Sequence, residues 1–219
     1  MRTYGKNFAY KKTVTYQQRQ QRCATEWDVR VDVSDGLTAE NVINFIKEQI
    51  ADVQYVLVSG VEKPDIQPTL GCITKNQAGP WNGGINQYGS KDHHVHVALV
   101  VQVPKNRQEI LRMVRGPRKM GDEYAAPRNP KFSYAGWIIH HSKPGYKLEG
   151  EPGIRYENGD IPMDPFTTEW ALKIDAILRK WGSDHMKQRF RGYTDLLRKN
   201  KIKKRIEALQ MQIQDEDVE

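Results

Sequence analysis

The chain has 219 residues, 34 Lys and Arg against 27 Asp and Glu, a formal charge of +7 and two cysteines, Cys23 and Cys72. The length suits one domain with extensions, and the cysteines exclude both a disulfide framework and a cysteine-rich metal cluster, so a reducing compartment is the default. The basic excess favours phosphate-bearing partners, although a solvated surface with a basic bias accounts for it equally well.

Residues 1 to 24 are polar, without periodicity, and read as a flexible basic arm. The opening MRTYGKNFAYKK has no apolar core, and no stretch is apolar enough to span a bilayer, so the chain reads as soluble and intracellular. A domain is expected over residues 25–162. Glu26–Val33 alternates and predicts a strand. After a Ser34-Asp35-Gly36 turn, Thr38 is placed to cap a helix over Ala39–Ile50. Val53–Val61 is a second strand. Gly71–Ser90 is rich in Gly, Asn and Gln and reads as a long surface loop around Trp81. The run His93–Val103 is a third strand, followed by Pro104 and a helix over Asn106–Val114. Gly116–Pro130 reads as a connection, Phe132–His141 as a helix stopped by Pro144-Gly145, and Gly153–Glu157 as a short strand. Residues 163–219 form a basic helical tail, in which Ile202, Ile206, Leu209 and Ile213 stand at heptad-like spacing. The order β-α-β-loop-β-α-α-β, then helices, predicts an α+β fold. Its antiparallel sheet carries helices on one face, in the ferredoxin-like or split-βαβ layout.

His94-Val95-His96 is the most informative triplet. Residues i and i+2 of a strand share a face, so the two imidazoles stand side by side while Val95 points away. Glu62 closes the preceding strand, and antiparallel pairing can bring its carboxylate beside them. Two His and one carboxylate with open positions suit Mn²⁺ or Mg²⁺, which polarises phosphate oxygens. His93 faces the other way. By itself, Glu62 also reads as an ordinary surface carboxylate at a strand end.

Glu62, then His94-Val95-His96 in an apolar strand, then a helix and a second helix carrying Lys143, resembles the HUH endonuclease domain. The resemblance is to replication-initiator (Rep) proteins of circular single-stranded DNA viruses and related plasmids, and covers roughly residues 26–160. It implies Glu62, His94 and His96 as metal ligands, Arg30–Asp35 in the place of the first motif, and a host-nuclear site of action. Arg30–Asp35 lacks the family's aromatic and Asn pattern. The family's third motif, a nucleophilic Tyr followed three residues later by Lys, is also altered. Here Ile138-Ile139-His140-His141-Ser142-Lys143 puts His140 at the tyrosine position and Lys143 at the lysine position. Tyr134 is the nearest helical tyrosine. At about 100° per residue it lies roughly opposite Lys143, whereas His140 and Lys143 share a face. Tyr134, His140 and Tyr146 all stay open as nucleophile, with Lys143 stabilising developing charge. Tyr134, Trp137, Ile138 and His141 equally form a stripe suited to packing.

The resemblance therefore implies a metal-dependent, site-specific single-stranded DNA endonuclease. Nicking and joining through a covalent 5′-phosphoryl-protein link would initiate rolling-circle replication on single-stranded or hairpin origin DNA. The alternative is a DNA-binding module that keeps the fold and has lost the nucleophile. A third reading is a basic structural or packaging protein with the histidine strand as core. Arg107, Arg112, Arg115 and Trp81 are the expected DNA contacts, the cations for the backbone and the indole for stacking on bases. Each is also read as part of a solvated helix face or a loop. Gly116-Pro-Arg-Lys-Met-Gly121 lacks the Lys-Ser/Thr of a phosphate-binding loop. Full-length initiators of the resembled type carry a helicase domain after the nuclease, so the resemblance leaves this chain as a nuclease domain, a piece of a longer initiator, or a stand-alone initiator. The tail sits where the family places an oligomerisation segment, so a homo-oligomer is a further expectation.

Overall fold

In the computed structural model, residues 23–33, 36–64, 92–117 and 124–216 are described. They fall into two units, Met1–Arg128 with Tyr146–Asp160, and Asn129–Gly145 with Ile161–Glu219.

The first unit is built on alternation. Strands β1 (Ala24–Asp32), β2 (Val53–Ser59), β3 (His94–Lys105), β4 (Tyr124–Pro127) and β5 (Ile154–Gly159) form one sheet in the order β4-β1-β3-β2-β5. Every pairing is antiparallel. The registers Val29↔Val97, Val31↔Val95 and Val56↔Leu99 put these valines and Leu99 on one face. Helices α1 (Ala39–Lys47) and α2 (Arg107–Arg115) cover that face with Val42, Ile43, Ile46, Ile110, Leu111 and Val114. Each such buried side chain contributes about 1.5–3 kcal/mol of transfer free energy. Both helices start on reciprocal caps, Thr38 with Asn41 and Asn106 with Glu109, which satisfy amide groups at each helix start. Gly116 ends α2 at φ +67°, and the Phe45 ring fills the space a Cβ would need there.

The expected helix over Ala39–Ile50 stops at Lys47, and Ile50–Asp52 form a single 3-10 turn. Strand β3 runs through Pro104 to Lys105. The connection expected over Gly116–Pro130 contains strand β4, which makes the order β-α-β-β-α-β-α-β. Tyr124-Ala-Ala-Pro127 shows no alternation and ends in Pro, and it is tolerated because β4 is an edge strand.

The second unit comprises α3 (Tyr134–His141), α4 (Thr168–Trp181), α5 (Asp184–Arg189) and α6 (Arg191–Glu216). Ala171, Ile174 and Leu178 of α4 are buried. Helix α3 approaches α4 so closely that a Cβ on Gly136 would overlap the Ile177 side chain. That explains a glycine inside a helix. Asp164 and Ser133 cap α3. The Asp164 carboxylate accepts from the Tyr134 N–H at 2.7 Å and the Ala135 N–H at 2.9 Å, and Ser133 Oγ accepts from the Gly136 N–H at 2.8 Å. Among the described residues no helix is long and apolar enough to cross a membrane.

Candidate metal centre

The site begins with a break in β2. From Tyr55↔Val100 pairing with β3 runs regularly to Val58↔Val97, and had it continued, residue 61 would face His94. Instead Glu62 faces His94, with Glu62 N–H donating to the His94 carbonyl at 2.7 Å and His94 N–H to the Glu62 carbonyl at 3.2 Å. One extra residue has been inserted between Ser59 and Glu62. Side chains alternate with period two, so this bulge moves Glu62 to the histidine face and returns Val61 to the apolar core.

Several groups brace the bulge. Ser59 Oγ accepts from the His96 N–H at 2.9 Å and donates to the Gly60 carbonyl at 2.8 Å. The Val61 N–H donates to Glu151 Oε2 at 3.0 Å, and Arg155 Nε holds that same carboxylate oxygen at 2.7 Å. Gly60 runs against the Pro152 carbonyl with no room for a Cβ.

The result is a compact donor set. Glu62 Oε2 lies 3.6 Å from His94 Nε2 and 3.4 Å from His96 Nε2. The two rings are edge to face, with centroids 5.2 Å apart. One ligand atom from each of the three residues lies within 4.8 Å of the others. Two donors roughly 2.1 Å from a shared ion at a tetrahedral angle stand about 3.4 Å apart, so the spacing fits a first-row divalent ion.

Two further observations point to a ligand. His94 is fully buried, and its Nε2 has no hydrogen-bond partner. Its Nδ1 contacts the Asp92 carbonyl at 3.2 Å. A carbonyl only accepts, so Nδ1 is the donor in that contact, and Nε2 is the ring nitrogen that faces Glu62, the orientation of a metal-binding imidazole. Burial alone would raise the Glu62 pKa. The imidazoles of His94 and His96 and the Lys147 ammonium outweigh that and hold it far below the usual carboxylate range.

Lys147 is absent from the sequence-based set. Glu62 pairs with His94 on one side and with Lys147 on the other. Lys147 Nζ reaches Glu62 Oε1 at 2.5 Å, with its side chain 1 % exposed. Burial lowers the Lys147 pKa, and the Glu62 charge opposes that shift. Arg30, cross-strand from His96, lies on the histidine face with its Nε 3.6 Å from Oδ1 of Asp32, which is cross-strand from His94.

The other expected site residues are distributed differently. Tyr146 belongs to the first unit, is exposed, and accepts the Lys63 N–H through its carbonyl at 3.2 Å. Tyr134, His140 and Lys143 belong to the second unit. Tyr134 is half-buried at the first position of α3, and Trp137, Ile138 and His141 of the same stripe are buried. His140 and Lys143 do share a face, and Trp181 occupies it. Lys143 Nζ stands 4.2 Å from the indole centroid, and the His140 ring meets the indole with centroids 5.8 Å apart. Arg107 and Arg112 lie on α2, which covers the apolar face of the sheet, opposite the histidines. Arg112 is exposed and Arg107 half-buried, whereas Arg115 is buried at 6 %. Trp81 and the Gly71–Ser90 loop lie outside the described residues, as do Cys72 and nearly all of the N-terminal arm. Comparisons with protein-family models, with curated proteins and with solved structures find no match to this chain.

Proposed function

We propose that this chain is a divalent-metal-dependent endonuclease acting on single-stranded or hairpin DNA, of the HUH type, that nicks and joins at a replication origin. The observation that carries the reading is the orphaned Nε2 of buried His94 facing Glu62 Oε2 beside His96. The strand order β4-β1-β3-β2 within a β-α-β-β-α-β run supports the ferredoxin-like layout of that family. Glu62, His94 and His96 would hold Mn²⁺ or Mg²⁺, which when bound would supply Lewis-acid polarisation of a phosphate oxygen.

The chain's own residues divide the remaining work. Glu62 would offer Oε2 to an ion beside the imidazoles, since Oε1 is engaged by Lys147. Lys147 and Arg30 add positive charge beside the anionic substrate. A hydroxyl of Tyr134 or Tyr146, or the His140 imidazole, attacks phosphorus. The bond from phosphorus to the 3′ oxygen breaks, and that oxygen takes up a proton. The 5′ phosphoryl stays on the protein, and attack by a 3′-hydroxyl reverses the step.

Incubation with Mn²⁺ and labelled single-stranded and hairpin DNAs, followed by a denaturing gel, tests the reading. A covalent band that disappears in His94→Ala supports it, and mass spectrometry of the adduct identifies the attacking residue. Cleavage that persists in His94→Ala sinks it. A second reading, a DNA-binding module without nicking activity, has one observation in its favour. Trp181 engages both His140 and Lys143, the two residues at the family's nucleophile and lysine positions. DNA binding with no cleavage and no adduct is its signature.

A further inference from the structure

Helix α6 has 26 residues, and among the described residues its buried and half-buried side chains all precede Lys201. Tyr193 is buried, and Asn200 donates from its side-chain amide to Thr168 Oγ1 of α4 at 2.9 Å. From Lys201 to Ile213 every residue is exposed. Five of them are large and apolar and each is at least half exposed, and four of these, Ile202, Ile206, Leu209 and Ile213, form one series. Their spacing of four, three and four is that of alternating d and a positions, which places them in one seam. A helical stretch of about this length without tertiary packing is marginal in water, and in proteins helical stability comes from covering the apolar face.

The charge along α6 says what covers it. Between Arg191 and Arg205 there are seven Lys and Arg, and no residue after Arg205 is basic. The chain beyond holds Glu207, Asp215, Glu216, Asp217 and Glu219. A parallel pair would set basic segment against basic segment. Reversing one helix sets the basic segment of each against the acidic end of the other.

We propose that the last four turns of α6 form an antiparallel two-helix seam with a second copy of this chain. The register follows from the seam, since antiparallel pairs put a positions against d positions. Ile202 faces the second copy's Ile213, and Ile206 faces its Leu209. The same register lays residues 199–205 alongside residues 210–216 of the second copy. The seam is self-complementary about a twofold axis between residues 207 and 208, so the assembly closes as a dimer. With about two heptads buried, association is in the micromolar range rather than obligate.

Sedimentation equilibrium of the full chain, from low micromolar to several hundred micromolar, should show a monomer–dimer equilibrium. Ile206→Lys should weaken it at least roughly tenfold while leaving the far-ultraviolet spectrum of the rest of the protein intact. Orientation is read by disulfide trapping in a background with Cys23 and Cys72 replaced by Ser. Ile202→Cys and Ile213→Cys proteins should cross-link when mixed, and neither should cross-link with itself. A chain that stays monomeric across the range overturns the proposal. So does a dimer indifferent to Ile206→Lys. Self-cross-linking of Ile202→Cys overturns the antiparallel register. A dimer that appears only when DNA is added assigns the seam to another role and equally overturns it.

Discussion

Lys147 Nζ lies 2.5 Å from Glu62 Oε1, while Oε2 of the same carboxylate is the oxygen nearest His94 and His96. One buried carboxylate thus serves a fixed cation on one side and a donor pocket on the other. The two roles oppose each other, because the ammonium repels any ion held by the imidazoles.

Replacing Lys147 with Met separates these effects. The substitution leaves the Glu62 charge buried without its cation, and breaking such a pair costs about 3 kcal/mol. For a chain of this size that is a drop in Tm of roughly 6–12 °C. A bound divalent ion then becomes the compensating charge. The Mn²⁺-dependent rise in Tm, measured against a chelator control, should be larger in Lys147→Met than in the wild type. An equal or smaller rise means that Lys147 and the ion do not compete for the carboxylate. In Glu62→Gln, His94→Ala and His96→Ala the rise should vanish.

Gly60 tests the bulge. A methyl group there meets the Pro152 backbone, which has no rotamer to escape with. Gly60→Ala should cost about 1–3 kcal/mol as an overpacking change, visible as a lower urea midpoint. Its sharper consequence is local. If the inserted residue is squeezed out, the parity of Glu62 reverses and its carboxylate leaves the imidazoles. Mn²⁺ binding, followed by electron paramagnetic resonance of the free ion, should weaken by much more than the stability change accounts for. Binding at wild-type affinity in a folded Gly60→Ala protein contradicts this account of how Glu62 is aimed.

Alternation alone placed His94 and His96 on one face, because a strand's period fixes that without tertiary information. The arrival of Glu62 beside them depends on a one-residue insertion, and the only local trace of it is the glycine at 60. Lys147 was not legible, since its burial depends on a cross-strand partner 85 residues away. Strand β4 carries no signal in the sequence, because Tyr124-Ala-Ala-Pro127 has neither β-branched residues nor alternation. The shared face of His140 and Lys143 followed from helical geometry, whereas the indole that fills it comes from Trp181 on a different helix. Arg107 and Arg112 follow the histidine strand directly in sequence, yet the helix that carries them packs on the opposite side of the sheet.

The brace on the bulge predicts a pH dependence. Arg155 lowers the Glu151 pKa through a paired hydrogen bond that outweighs partial burial, and the Val61 N–H adds to it. A carboxylate whose folded pKa is depressed adds stability above its unfolded pKa, and that stability is lost as pH falls through the folded value. Glu151→Gln should therefore lower unfolding free energy near pH 7 by about 1–2 kcal/mol. The gap between variant and wild type should close as the solution is acidified below the ordinary glutamate range. Urea denaturation at neutral and at acidic pH measures both. A gap that stays constant would show that the contribution comes from packing and not from charge.

Asp164 predicts a change confined to one helix. Its two carboxylate oxygens take the first two N–H groups of α3, from Tyr134 and Ala135, and Ser133 takes the third from Gly136. Asp164→Ala strands two of the three in a part-buried setting, which costs about 1–2 kcal/mol by the usual cost of losing a cap. Asp164→Asn keeps one acceptor and should recover part of it. Because the Ser133 bond remains, the loss should fall on the first turn rather than on the whole helix. Amide exchange resolves the two. The amides of Tyr134 and Ala135 should exchange much faster in Asp164→Ala, while those of Ile138 to His141 keep their protection. If all of α3 loses protection together, Asp164 holds the helix in place as a unit. The first turn, where Tyr134 sits as a candidate nucleophile, then has no separate freedom to adjust to substrate.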